Sequence, residues 1–380
     1  MDYPIRILCV FSTLDRGGAE TMAMSLFRKI NRDKVIFDFV KHTRNKGAYE
    51  DEIRELGGKI FEAPRYRGVN HIQYVRWWRS FLKAHPEYLI VHGHYFTISS
   101  VYFSAAHKEN RITIGHSHCT DVAKDQISHP FAHWLANKLL IGRIEKNSDY
   151  CMACSIDAGN WIFKNKGFKV LNNAIEVEKF KSNYDVGLEV REELNLGSCF
   201  VIGNVSRFNI QKNPFGTLEI FRLVHQRRTN CKLLWAGDGP LREKVQKKAV
   251  EYGLMDDIIF TGSRSDVHRL LQAMDVFIFP SFFEGLGIAA VEAQAAGVTT
   301  ICSTAIPNDV AVTDRCFFLP LDQLDMWADE ICQLGALQKH RDMTDRIKRS
   351  GYDINDTSKW LQEFYVSLVE NGGFRDNYSK

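Results

Sequence analysis

Asp275-Val-Phe-Ile-Phe-Pro280-Ser281, followed by Phe282-Phe-Glu284-Gly-Leu-Gly-Ile-Ala-Ala-Val-Glu292 and closed by Ala293-Gln-Ala-Ala-Gly297, is the stretch on which the fold of this chain turns. It reads as a short apolar strand, a glycine-rich turn, a helix and a glycine stop. Two carboxylates stand eight positions apart, Glu284 in the turn and Glu292 on the helix. At about 1.5 Å of rise per residue, the second lies roughly 10 Å further along the segment. Between them is a helix N-terminus, whose unbonded N–H groups suit an anion such as phosphate. A ligand with hydroxyls at both ends and phosphates between them fits this spacing, and a nucleotide sugar is one. A solvated glutamate pair steadied by the helix dipole is the bland alternative.

The same grammar runs along most of the chain. In the N-terminal half, strands are expected at Ile5–Phe11, Phe37–Val40, Leu89–His92, Ile112–Gly115 and Tyr150–Ala153, with helices near Ala19–Ile30, Tyr49–Leu56, His71–Ala84 and Pro130–Arg143. A less regular stretch, Asn173 to Gly197, follows. Strands resume at Phe200–Val205, Lys232–Ala236, Ile258–Thr261, Val276–Phe279 and Thr299–Cys302, separated by helices at Pro214–Arg228, Leu241–Tyr252, Asp266–Met274 and Gly287–Ala296. Alternating strands and helices imply parallel sheets covered on both faces. The simplest architecture is α/β, with two doubly wound domains facing a cleft. In such sheets ligands bind beyond the carboxyl ends of the strands.

Length and composition narrow the class. A chain of 380 residues is long enough for two or three cores. A net charge of +3, from 49 basic against 46 acidic residues, gives no sign of a nucleic-acid partner. Nine cysteines, scattered and odd in number, indicate a reducing compartment. The Cys151/Cys154 pair has no second pair beside it for a zinc site, and its alternating context reads as strand. Ile5-Arg-Ile-Leu-Cys-Val-Phe11 is too short for a signal peptide, and no run approaches the eighteen or so apolar residues of a spanning helix. The expectation is a cytoplasmic protein whose membrane contact, if any, is peripheral.

The strand exits carry the candidate chemistry. After the first strand, Leu14-Asp-Arg-Gly17-Gly18-Ala-Glu20 leads into a helix, where paired glycines let backbone approach a ligand. Val205-Ser-Arg207-Phe-Asn-Ile-Gln-Lys212-Asn-Pro214 offers a guanidinium fork and a point charge from one loop, both suited to phosphate. Ala236-Gly237-Asp238-Gly239-Pro240 is a tight exit that fits either plain turn chemistry or a base or ribose on bare backbone. Two His-x-His pairs, His92/His94 and His116/His118, each leave a strand pointing one way; metal binding, substrate contact and a structural role are all open for them. In His71 to Lys83, Ile72, Val75, Trp78 or Arg79 and Leu82 are expected to face the sheet. That leaves Tyr74, Trp77 and Phe81 with Arg76 and Lys83 on a face that fits either the core or an interfacial surface.

Taken together, these residues resemble retaining glycosyltransferase family 4, of the GT-B architecture, and in particular its members that build bacterial capsule, exopolysaccharide or lipopolysaccharide. The Glu-x7-Glu hallmark is matched by Glu284 and Glu292, the Arg-x4-Lys by Arg207 and Lys212, and the N-terminal glycine loop by Gly17 and Gly18. A linker motif is matched less well by Leu171-Asn-Asn-Ala-Ile-Glu176. The resemblance implies an N-terminal acceptor-binding domain, 1–175, and a C-terminal donor-binding domain, 176–355, with a last helix, 356–370, returning to the first. It implies that Glu284 contacts donor-sugar hydroxyls, that Glu292 binds the ribose, and that Arg207 and Lys212 neutralise the diphosphate, helped by the N–H groups of Gly285, Leu286, Gly287 and Ile288. Gly17, Gly18 and Gly237 join the donor side, and His118, or else His116, stands near the donor sugar and acceptor, with His118 counted among the catalytic residues beside Glu284, Arg207 and Lys212. No metal cofactor is expected, because an Asp-x-Asp is missing from any suitable loop and two cations with a helix dipole can hold the diphosphate. The implied partners are a nucleotide sugar, with UDP the family's commonest nucleotide, and a glycan or polyprenyl-diphosphate-linked acceptor. The alternatives are a nucleotide-sugar 2-epimerase of the same architecture, a non-catalytic partner subunit, and, less in keeping with the missing glycine fingerprint, a dinucleotide oxidoreductase.

Overall fold

The computed structural model describes residues 4–94, 98–118, 142–335 and 340–370. The chain divides into two compact units, one reaching Ala174 and resuming at Ile354, the other spanning Ile175–Asp353. The first holds a sheet of seven strands: β1 (Ile5–Val10), β2 (Val35–Lys41), β3 (Ile60–Glu62), β4 (Ile90–Gly93), β5 (Ile112–Ser117), β6 (Tyr150–Ala153) and β7 (Lys169–Val170). The second holds six: β8 (Phe200–Val205), β9 (Cys231–Ala236), β10 (Ile258–Gly262), β11 (Val276–Phe279), β12 (Thr299–Ser303) and β13 (Cys316–Leu319). Every pairing is parallel. The orders are β3-β2-β1-β4-β5-β6-β7 and β10-β9-β8-β11-β12-β13. In each sheet the winding reverses once, at β1/β4 and at β8/β11, and those reversals open the crevices in which doubly wound sheets bind ligands.

Each sheet is packed on both faces. In the first unit, Ile7, Phe27, Phe37 and Ile90 form one core and Leu8, Val91, Trp78 and Tyr102 the other. In the second, Val201, Leu234, Phe277 and Val291 lie on one side, with Ile202, Leu233, Ile278 and Trp327 on the other. Asp38 is fully buried within β2 yet satisfied: Arg6 binds it through two nitrogens at 2.6 and 2.7 Å, and the Tyr88 hydroxyl and Lys59 N–H also donate to it. This explains why a basic residue sits inside the first strand. Cys151 and Cys154 are buried free thiols, with Cys151 pushed up to about 12 by burial.

Several elements depart from the sequence reading. β3 and β7 are too short to stand out as apolar runs, β13 is a four-residue apolar run that the reading missed, and the stretch read as irregular contains a ten-residue helix, Tyr184–Glu193, capped by the Asn183 side chain. The His71–Ala84 helix is rotated from its expected setting: Tyr74, Trp78 and Leu82 form the buried stripe, while Ile72 is 75% exposed. A hydrogen bond from the Tyr74 hydroxyl to His42 Nε2 (2.7 Å) and the stacking of Trp78 on Tyr102 hold that register. Trp77 and Phe81 stack on one another and against this core, so they do not form a free aromatic face. The helix expected at 130–143 falls, apart from its last two residues, outside the described residues. Among the described residues, no helix is long and apolar enough to cross a membrane.

The C-terminal helix, Ile354–Glu370, packs in the first unit, where Leu361, Phe364, Tyr365 and Leu368 are buried beside Phe37 and the Gly18–Lys29 helix. Burying such side chains contributes about 1.5–3 kcal/mol each. Ending the chain at Asp353 is expected to abolish the cooperative melting transition of that unit or to leave the protein insoluble, as read by calorimetry and size exclusion.

Candidate active site

In the second unit, the winding reversal brings the exits of β8 and β11 side by side. The loop after β8 is shaped by two asparagines that the sequence reading passed over. Asn209 accepts from Lys212 N–H (3.1 Å), and Asn213, in a left-handed conformation (φ 50°), caps the Pro214–Arg227 helix by accepting from Gly216 N–H. The Asn213 side chain also donates to the Pro280 carbonyl beyond β11 (3.1 Å), and Phe282 N–H donates to Gln211 O (2.9 Å). Gln211 completes the seam, with its amide donating to Phe283 O (3.0 Å) and, more weakly, to Glu284 Oε2 (3.4 Å). An asparagine before a proline was a legible helix cap. Gln211 left no such signal.

These ties deliver Lys212 to Glu284, with Nζ 2.5 Å from Oε1 and 4.9 Å from the centre of the Phe279 ring. Both are largely withdrawn from solvent, with side chains 19% and 6% exposed. Arg207 leaves the same loop but is exposed. The helix that follows, Ile288–Ala295, is entered through Gly287 in the left-handed region (φ 93°), where a Cβ would also meet the Phe279 ring at 2.9 Å. Ala290 N–H donates to Gly287 O (3.0 Å), the helical N–H groups ahead of it have no carbonyl a turn earlier to bond, and no acidic residue occupies the first turn. Leu286 anchors the turn in the core.

Glu292 lies on that helix, partly buried, and its carboxylate has no hydrogen bond or ion pair among the described residues. Burial alone pushes it up to about 7. Two residues on, Gln294 fixes the helix: its oxygen accepts from Val312 N–H, Thr313 N–H and the Thr313 hydroxyl, and its amide donates to Ala290 O and Val310 O. Gly237 is held elsewhere. Its N–H donates to Gly262 O (2.8 Å), and a Cβ there would lie 1.9 Å from Ser206 O, so close passage of β9 past the β8 exit requires glycine.

In the first unit, Gly17 caps the Gly18–Lys29 helix, and Glu20 folds back over it; a Cβ on Gly17 would lie 2.1 Å from Glu20 Oε2. The helix N-terminus therefore already faces a carboxylate. The four strand-exit histidines come together as a stacked array. His92/His94 on one strand and His116/His118 on the next have ring centroids 4.2 Å apart within each pair. His94 stacks on Phe11, with His94 Nδ1 2.8 Å from His118 Nε2 and His116 Nδ1 3.3 Å from His92 Nε2. Burial and neighbouring rings pull His92 down to about 3, and burial does the same to His118, so both are neutral near pH 7.

His92, His94 and His116 each offer a ligand nitrogen within 4.8 Å of the others, the basis of a metal reading. Two nitrogens on a tetrahedral zinc at about 2.0 Å stand about 3.3 Å apart. His92 Nε2 and His116 Nδ1 stand at that spacing, 3.3 Å apart, whereas the 2.8 Å contact of His94 with His118, a residue outside the three, is of hydrogen-bond length.

Residues 189–351 match the family described as glycosyl transferases group 1. EpsF of Bacillus subtilis, a glycosyltransferase by assignment, is 31% identical over 96% of this chain and 97% of its own length. The capsular polysaccharide biosynthesis glycosyltransferase CapH of Staphylococcus aureus is 26% identical over 96% of this chain and 99% of its own. Among solved structures, Anabaena Alr3699/HepE in complex with UDP and glucose superposes with a TM-score of 0.76 at 17% identity, covering 96% of this chain and 100% of that one. At that identity the likeness establishes the fold, the two-domain GT-B architecture.

Two outcomes test this geometry. Lys212→Met strands the buried Glu284 carboxylate and is expected to destabilise the second unit by about 1–3 kcal/mol, with Glu284→Gln in that background recovering most of the loss in urea melts. Glu292 holds its proton more tightly when folded, at about 7 against an ordinary 4.5. Its contribution therefore lowers stability as pH rises from 4.5 to 7, by roughly 2–3 kcal/mol. The depressed histidines act oppositely, costing stability as pH falls below 6.5. Glu292→Gln is expected to raise the melting temperature at pH 8 and leave it nearly unchanged at pH 4.5.

Proposed function

The chain belongs to the glycosyl transferases group 1 family and is a glycosyltransferase, and from that premise we propose that it is a retaining, family 4 enzyme of bacterial surface-polysaccharide synthesis. It takes a UDP-sugar as donor and a glycan or polyprenyl-diphosphate-linked sugar as acceptor, at the cytoplasmic face of a membrane with which its contact is peripheral. CapH, named for capsular polysaccharide, and the UDP seen with HepE support this reading.

The observation that carries the donor assignment is the pairing of Lys212 with Glu284 at the β8/β11 reversal, directly ahead of a helix bearing the unpartnered Glu292. A cation and a carboxylate held against each other satisfy both charges until a ligand offers better partners. A diphosphate draws Lys212, with Arg207 reaching from the same loop and the N–H groups of Gly285, Leu286, Gly287 and Ile288 completing the anion site. Glu284, released, accepts from donor-sugar hydroxyls. Glu292 meets the ribose hydroxyls, which supply hydrogen bonds its carboxylate otherwise lacks.

Breaking the anomeric C–O bond moves negative charge onto the diphosphate and leaves positive charge on the sugar ring. Lys212, Arg207 and the helix N-terminus then bind the transition state more strongly than the ground state. Glu284 orients the sugar as the positive charge develops. Gly237 lines the base side by its backbone, and His118 and His116 serve the acceptor. With the diphosphate held by these groups, transfer proceeds without a divalent metal.

A screen of UDP-, GDP-, ADP- and TDP-sugars by thermal shift and nucleotide release, each with and without EDTA, tests this. Stabilisation by UDP-sugars that EDTA leaves unchanged and Glu292→Ala reduces at least tenfold in affinity is expected, the loss of two hydroxyl contacts being worth about 1.5 kcal/mol or more. Activity abolished by EDTA and restored by manganese would remove the metal-independent step, and an inverted anomeric product would remove the retaining assignment.

A further inference from the structure

The inner pair of the histidine array is anchored from outside the sheet. Tyr365, on the C-terminal helix, is fully buried, and its hydroxyl lies 2.6 Å from His92 Nδ1, its one hydrogen-bond partner among the described residues. His92 Nε2 faces His116 Nδ1, and His116 Nε2, also buried, has no partner among the described residues. Counting protons along this chain decides its direction. If the tyrosine O–H donates to His92 Nδ1, then His92 carries its proton on Nε2 and donates it to His116 Nδ1. His116 is then protonated at Nε2, and one N–H is left without an acceptor. In the opposite direction the tyrosine O–H has no acceptor, and the His116 Nε2 lone pair has no donor. The first arrangement leaves one unsatisfied group and the second leaves two, at about 1–3 kcal/mol each. Charged intermediates do not arise, since burial keeps both rings neutral near pH 7.

We propose that Tyr365 is a positioning residue for sugar transfer: through His92 it fixes His116 as the Nε2–H tautomer, which presents a donor to a hydroxyl of the acceptor at this strand edge. The proposal rests on the reading of this strand edge as part of the transfer site. It gives the C-terminal helix a chemical task besides packing. It also divides the four histidines: His92 and Tyr365 set the tautomer, His116 touches the acceptor, and His94 and His118 form the second, partly buried pair.

The test uses the full chain in three measurements. Nitrogen-15 NMR of histidine-labelled protein is expected to show His116 protonated at Nε2 and bare at Nδ1 in the wild type, and a mixture of tautomers in Tyr365→Phe. Release of UDP from UDP-glucose or UDP-galactose is expected to fall roughly tenfold in kcat with KM unchanged in Tyr365→Phe, the loss of one hydrogen bond felt in the transition state. His116→Gln, whose amide reaches the Nε2 position, is expected to keep activity within about threefold, while His116→Asn loses as much as His116→Ala. A wild-type His116 protonated at Nδ1, or Tyr365→Phe turning over at the wild-type rate, overturns the proposal. So does zinc retained through gel filtration with the His92 and His116 nitrogens shifted. A wild-type chain that binds and releases no UDP overturns the donor assignment instead, and the nitrogen spectrum then decides the tautomer without it. If Tyr365→Phe fails to fold, the wild-type spectrum and the glutamine–asparagine pair at His116 decide.

Discussion

Parallel strand pairing is the constraint from which the rest follows. A parallel neighbour cannot be reached by a hairpin, so every connection must cross over a face, and every strand of a sheet ends on the same edge. Where the winding reverses, at β1/β4 and β8/β11, two adjacent exits diverge with no crossover lying above them. Chemistry-bearing side chains far apart in sequence meet at those points. At β8/β11, Lys212 and Glu284 are 72 residues apart and in contact; beside the β1/β4 reversal, on the neighbouring exits of β4 and β5, His94 and His118 are 24 apart and hydrogen-bonded.

Both crevices share a physical feature: polar groups are withdrawn from water before any ligand arrives. In the second unit the withdrawal is compensated for Glu284 by Lys212 and left uncompensated for Glu292, whose carboxyl is pushed up to about 7. In the first unit it is shared among four imidazoles that stay neutral and hydrogen-bond one another. Such preorganisation costs stability in the empty protein, and a substrate that supplies the missing partners returns it. The supporting residues are themselves unremarkable side chains: Gln211 steadies the turn before Glu284, Gln294 holds the helix carrying Glu292, and Asn209 and Asn213 shape the cation loop.

Family membership and geometry answer different questions about this protein. Similarity along almost the full length of EpsF and CapH places the chain among glycosyltransferases. The position of each group relative to the sheet edge is what gives the residues distinct tasks. Arg207 and Lys212 leave one loop, yet one is exposed and the other is held against a buried carboxylate. Gly17 and Gly18 precede a helix whose N-terminus is already approached by Glu20. Gly237 is required by the passage of two strands, and its N–H is spent on Gly262 O.

Local pattern was enough to read the alternation of strands and helices, the turn from β11 into the Gly287-capped helix, and the pairs Glu284/Glu292 and Arg207/Lys212, because these depend on periodicity, glycine and charge within a few residues. Tertiary structure alone decided the rest. It set the strand order, and it turned the His71–Ala84 helix so that Tyr74 faces inward and Ile72 outward, against hydropathy, because the hydrogen bond of Tyr74 to His42 and the stacking of Trp78 on Tyr102 outweigh one aliphatic side chain. It also joined two His-x-His pairs into one array and tied them to Tyr365, 273 residues beyond His92. Sequence spacing carries no information across such distances, since which side chains meet is fixed by how crossovers stack the strands.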